Sequence, residues 1–216
     1  MKVRASALVV IGVVVLGLAG CTTRDAGTPT SGQVSSRSTA PTGTGPSESS
    51  MPSSEEDTYG APRVESPLDA TKFLADPCAV LTPVQLPTFG VSQPGRGDTE
   101  GEIAKTVGPL CIWTADPEVD STISVAWQSG NKNGLADLYR LRDRWEYFVE
   151  TTVEGYPAVF NSALDSRAEG YCTVSVGVSD ALTFTASETG KLDADGACAR
   201  AEQVAAAAIV TLKETQ

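Results

Sequence analysis

Cys172-Thr173-Val174-Ser175-Val176-Gly177-Val178-Ser179-Asp180-Ala181-Leu182-Thr183-Phe184-Thr185-Ala186 is the stretch that decides the fold. Cys172, Val174, Val176 and Val178 alternate with small or polar residues, the period-two pattern of a strand with one buried face. Ser179-Asp180 breaks the pattern and Leu182 to Ala186 resumes it, which predicts a β-hairpin. Downstream, Gly196 to Lys213 puts Cys198, Ala201, Val204, Ala205, Ala208, Ile209 and Leu212 on one stripe at helical spacing. That helix can cover the buried face of the hairpin.

Working toward the N-terminus, the turn Glu154-Gly155-Tyr156-Pro157 separates predicted strands at Phe148 to Val153 and Ala158 to Phe160. Asn133 is placed to cap a helix carrying Leu135, Leu138, Leu141 and Trp145. Thr122 to Trp127 alternates Ile123, Val125 and Trp127 on one face, and Cys111 to Thr114 reads as its neighbour strand. A polar, Gly-rich loop is expected from Ser92 to Thr106. Before it, Asp76-Pro77 and Thr82-Pro83 each combine an N-cap residue with a proline at the first helical position. Helical pieces at both ends and strands between them imply an α+β domain, an antiparallel β-sheet with flanking N- and C-terminal helices.

Outside this domain the composition changes. Lys2 and Arg4 precede an apolar run from Ala5 to Leu18, which is shorter than the roughly 20 residues a spanning helix needs. Leu18-Ala19-Gly20-Cys21 closes the run. A basic start, an apolar middle and a small-residue cleavage site define an export signal, and the thiol of Cys21 is placed to receive a diacylglyceryl group. Residues 1–20 are therefore expected to be a lipoprotein signal peptide and Cys21 the lipid attachment site, with multiple acyl chains giving stable anchoring. From Thr22 to Ser66, 28 of 45 residues are Ser, Thr, Pro or Gly. Such a segment buries too little apolar surface to offset the entropy of ordering it. Residues 21–66 are expected to form a tether and residues 67–216 the folded domain.

Four cysteines remain. An even number in an exported domain implies two disulfides, with three possible connectivities. Cys78–Cys111 and Cys172–Cys198 is the preferred pairing. Cys198 lies on the apolar face of the last helix, which can cover the strand that Cys172 starts, while Cys78 opens a helical segment and Cys111 opens a strand. Zinc is disfavoured because the chain has no His and no Cys-x-x-Cys.

The order Asp76-Pro77-Cys78, Leu81-Thr82, Cys111-Ile112-Trp113, a Cys at the start of a late strand and a Cys in an Ala-rich C-terminal helix resembles the actinobacterial lipoproteins of the domain-of-unknown-function 3558 family. The loop Gln93 to Gly108 matches least. The resemblance implies an envelope lipoprotein with a fold similar to the antiparallel α/β/α sandwich of the PsbP and Mog1 proteins, and it carries no catalytic residues.

Composition narrows the function classes. The chain has 16 Lys and Arg, 27 Asp and Glu, and a net charge of −11. Such a surface argues against nucleic acid as a partner. Without His, a Ser-His-Asp or Cys-His nucleophile is impossible. Asp98, Glu100 and Glu102 lack the ligand spacing of a calcium loop and read as a solvated acidic turn. Asp193 and Asp195 precede the last helix and read as capping residues. Trp113 is expected against a disulfide, and Trp127 and Trp145 on core stripes. Arg140, Arg142 and Arg144 sit two apart on a helix and do not converge on an anion. No cofactor and no metal are expected. The expectation is a lipid-anchored, non-enzymatic binding module on the outer face of the cell membrane, taking an envelope protein, a lipid or a small hydrophobic ligand. The alternative is an envelope hydrolase or transferase that uses carboxylates.

Overall fold

The computed structural model describes residues 58–216, so Cys21, the expected signal peptide and most of the expected tether lie outside the described residues. In chain order the elements are α1 (Thr71–Ala75), β1 (Arg96–Asp98), α2 (Glu102–Thr106), β2 (Leu110–Thr114), β3 (Ser121–Trp127), α3 (Leu135–Tyr139), β4 (Tyr147–Val153), β5 (Tyr156–Ser162), β6 (Tyr171–Ser179), β7 (Leu182–Gly190) and α4 (Ala194–Glu214). All seven strands join one sheet in the order β1-β2-β3-β7-β6-β5-β4, with every neighbour antiparallel. This is the expected α+β architecture.

The β6–β7 hairpin lies at the centre. Its register pairs Val174 with Ala186 and Val176 with Phe184, so the alternating apolar set faces one side. Helix α4 covers that side. Ala197, Ala201, Ala205 and Ala208 have no side-chain bulk beyond Cβ and bring the helix close to the sheet, while Val204, Ile209 and Leu212 fill the remaining space. Asp193 caps the helix as expected: its Oδ1 accepts the Gly196 N–H at 2.8 Å. Phe73, Val80, Leu81, Phe89 and Val91 extend this core over β2 and β3, where they join Trp113, Trp127, Ile123 and Val125. The Phe73 and Trp127 rings stack with centroids 6.2 Å apart.

Both expected disulfides are present, Cys78–Cys111 and Cys172–Cys198. The first ties the 3-10 turn Pro77–Val80 to β2, and the second ties the start of β6 to the first turns of α4.

Four expectations are corrected. The helix expected through Trp145 stops after five residues. The Leu138 carbonyl, which a continuing helix would offer to Arg142, instead accepts the Leu141 N–H and the Trp145 indole N–H. Asn133 does not cap this helix; Asp137 reaches back to accept from the Lys132 and Asn133 N–H groups. The loop expected from Ser92 to Thr106 contains β1 and α2. Gly95 allows that path, because any Cβ there would collide with the Trp113 indole and the Cys111 sulfur. Finally, residues 58–66 pack on the domain instead of belonging to the tether. Ala61 and Val64 are buried, Asp180 accepts from the Val64 N–H and pairs with Arg63, and the Ser66 carbonyl accepts from the Tyr156 hydroxyl. A bulge between Gly177 and Ser179 turns the Val178 carbonyl out to accept the Leu68 N–H. Residues 61–68 thus form a strap across the end of the sheet. On the face opposite α4, Ala61 joins Leu135, Leu138, Tyr139 and Val159 in a second, smaller core.

Candidate functional site

Two of the clefts among the described residues differ in character. The first is apolar and lies over Trp113. Its walls are the 3-10 turns Pro77–Val80 and Leu86–Phe89 and the chain that leads to β1. Pro83, Leu86 and Pro87 form its open walls, Cys78 lines it beside them, and Leu81, Val91 and Trp113, buried in the core, form its floor. The cavity measures 520 Å³, within the range of about 300–1,000 Å³ typical of small-ligand pockets. Asp76 at the rim is the one ionisable side chain in its lining, since Cys78 is held in a disulfide. Val84, next to Pro83, is 85 % exposed.

These walls are braced from behind. The Gln85 side-chain carbonyl accepts the Thr82 N–H at 2.7 Å, and its amide donates to the Ala207 carbonyl of α4 at 2.9 Å. Arg200 of α4 donates to the Phe89 carbonyl at 3.1 Å. With the Cys78–Cys111 bond, these contacts fix the cleft before a ligand arrives, which lowers the ordering cost of binding. Trp113 is where the sequence places it, against the disulfide. Gln85 and Arg200 were not legible, because each serves a backbone carbonyl more than 100 residues away in sequence.

The second cleft measures 750 Å³ and lies between the strap and the β4–β5 hairpin. Arg63, Glu65, Tyr139, Glu150, Thr152 and Lys213 give it a polar lining. Glu150 is held by Arg142 at 2.9 Å, and Lys213 donates to the Glu154 carbonyl. The guanidinium of Arg142 also lies over the Tyr139 and Phe148 rings. Tyr139 is 5 % exposed. Burial, with the nearby Glu150 charge, pushes its phenol up to about 12 against the pull of Arg142. Tyr139 also lines the cleft.

The other expected site residues are dispersed. Asp98 ends β1, where its Oδ1 accepts the Glu100 and Gly101 N–H groups; these bonds hold its carboxyl below the ordinary range. Among the described residues no group of three His, Cys, Asp or Glu is placed to hold a metal. Arg140 pairs with Asp137 and Arg142 with Glu150, so those arginines do not converge. Trp127 is fully buried, and Trp145 is partly buried against the smaller core.

One buried ionisable group escaped the sequence reading. Glu188 on β7 faces the core under α4, opposite Cys172 on one side and Ile123 on the other. Ser121 donates to its Oε2 at 2.8 Å, and its Oε1 has no partner among the described residues. Burial pushes its carboxyl up, against the Ser121 bond and the field of Arg200.

One helix-covered face of a seven-stranded antiparallel sheet, two disulfides and a braced apolar cleft define an α+β domain. The chain belongs to the family described as "Protein of unknown function (DUF3558)", whose model matches residues 16–211. No curated protein matches it. No solved structure matches either, and the likeness to the PsbP and Mog1 proteins remains an expectation.

Proposed function

We propose that this chain is an actinobacterial envelope lipoprotein whose domain is a non-enzymatic binding module for a small apolar ligand. The observation that carries the ligand reading is the braced, apolar 520 Å³ cleft over Trp113, whose lining has a single ionisable side chain. Burying an acyl or similar hydrocarbon group there yields roughly 25 cal/mol per Å² of apolar surface removed from water. Export and anchoring rest on the Leu18-Ala19-Gly20-Cys21 motif and on two disulfides, which an oxidising compartment sustains. No helix among the described residues is long and apolar enough to cross a membrane. In the proposed arrangement the lipid on Cys21 does the anchoring. A carboxylate-dependent hydrolase or transferase has less support: of the two glutamates lining the strap cleft, Glu150 is engaged by Arg142.

Two experiments test this reading. Native mass spectrometry of the purified chain titrated with a medium-chain fatty acid should show a 1:1 complex that Leu86→Asp abolishes. Equal binding by both proteins, or none by either, would refute the ligand reading. Cys21→Ala should stop incorporation of labelled palmitate and release the protein to the medium, and lipid labelling that persists in the variant would refute the anchor.

A further inference from the structure

The strap cleft has one wall that is a free sheet edge. β4 is the last strand of the sheet, seven residues long, with no Pro and no Lys to discourage pairing. Val149 on it is 45 % exposed. Its one charged residue, Glu150, is neutralised by Arg142.

The hairpin turn fixes which backbone groups are free. Glu154 and Gly155 have φ of 52° and 85°, the paired positive values of a type I′ two-residue turn. In such a hairpin the flanking residues, Val153 and Tyr156, exchange both N–H···O bonds. The alternation then directs the N–H and C=O groups of Thr151 and Val149 toward β5, and those of Thr152, Glu150 and Phe148 away from it. Pro157 agrees with this phase. It sits opposite Thr152 in a non-hydrogen-bonded pair, where its missing N–H breaks no bond to β4. Glu150 and Thr152 therefore present main-chain donors and acceptors outward at two-residue spacing, and both line the cleft.

We infer that β4 and the strap cleft bind an extended, basic peptide segment, which adds to the sheet as an eighth strand. A row of alternating N–H and C=O groups is matched by another extended backbone. Tyr139 lines the same cleft beside these strand residues. The acidity of the chain as a whole favours a basic partner. Within the cleft Arg63 is paired with Asp180 and Glu150 with Arg142, while neither Glu65 nor Lys213 has an ion pair among the described residues. The whole chain carries −11. The same charge opposes pairing of β4 with a second copy of itself.

The test uses the full chain and a capped peptide, Lys-Val-Lys-Val-Lys-Val-Lys, beside the same peptide N-methylated at alternate amides. Wild type should bind the unmodified peptide, and binding should fall about tenfold or more for the N-methylated one, since each lost backbone hydrogen bond is worth about 0.5–1.5 kcal/mol and 1.4 kcal/mol is tenfold. Thr152→Pro removes an outward N–H while sparing the ladder to β5, and should weaken binding by about the same factor. Amide exchange at Thr152 and Glu150 in the wild-type protein should slow when peptide is added, a readout that does not depend on the variant folding. Leu86→Asp should leave peptide binding unchanged, which separates this surface from the apolar cleft. Equal affinity for the N-methylated peptide, full binding by Thr152→Pro, or unchanged exchange at both amides would overturn the inference. So would a neutral oligosaccharide protecting these amides when the peptide does not, or a concentration-dependent dimer that Thr152→Pro dissolves.

Discussion

Replacing both Cys172 and Cys198 with Ala should destabilise the domain by a calculable amount. The bond joins residues 26 apart and ties the first turns of α4 to the start of β6. In the chain-entropy model, freeing a loop of that length returns to the unfolded state about 3.5 kcal/mol at 25 °C. For a domain of this size each kcal/mol moves the melting temperature by about 2–4 °C, so the expected loss is roughly 7–14 °C. The native contacts of α4 do not depend on the bond: Val204, Ala205, Ala208, Ile209 and Leu212 remain buried in the core beyond it. The variant should therefore fold, with an unchanged far-ultraviolet spectrum. Urea titration should show a lower midpoint and a steeper slope, because the uncross-linked chain exposes more surface when unfolded. A loss below about 1 kcal/mol with an unchanged slope would refute the reasoning, because the bond would then not act through the unfolded chain.

Three further outcomes follow from particular contacts. Glu188→Gln should flatten the dependence of stability on pH. The folded carboxyl is raised above its unfolded value, so the native state holds its proton longer and stability falls as pH rises from the unfolded value through the folded one; denaturant titrations from pH 4 to 8 should show that decline in wild type and less of it in the variant, and identical pH profiles would contradict the assignment. Asp193→Ala should cost about 1 kcal/mol by removing the α4 cap, read from the urea midpoint, and an unchanged midpoint would mean the Gly196 bond contributes nothing. Asp180→Ala should release the strap, seen as faster amide exchange at Val64 with little change at β6, while unaltered exchange at Val64 would show that apolar contacts alone hold it.

The central architecture was legible because its signals are local and periodic. The alternation from Cys172 to Val178 and the stripe from Cys198 to Leu212 match the buried faces of β6 and α4, and Trp113 and Trp127 are buried as their positions imply. The disulfide pairing was legible for the same reason, since each Cys opens or lines an element whose packing was readable. What the sequence hid depends on contacts distant along the chain. The strap reads as tether because Ser, Pro and Glu dominate it, and it is held by Asp180 and Tyr156, each 90 or more residues away. Leu135, Leu138, Leu141 and Trp145 have helical spacing, but Trp145 turns back to the Leu138 carbonyl and ends the helix early. Glu188 carried a readable signal: continuing the alternation of Phe184 and Ala186 by two residues places a carboxylate on the core face, a conflict between pattern and chemistry that marks a position worth inspecting. Neither cleft could be anticipated, because Trp113 and Cys78 read only as parts of a packed disulfide region and the remaining walls come from short 3-10 turns and a strap that have no periodic signature.

The apolar cleft is tested most directly by the three indole N–H signals in a proton–nitrogen spectrum of the labelled protein titrated with a medium-chain fatty acid. Trp113 lines the cleft, Trp127 is sealed in the core, and Trp145 donates to Leu138 in the smaller core on the opposite face of the sheet. A saturable shift of the Trp113 signal, with Trp127 and Trp145 unmoved, is the result expected. A Trp113 signal that stays fixed while ligand binds, or that moves only together with the other two, would contradict the proposed site.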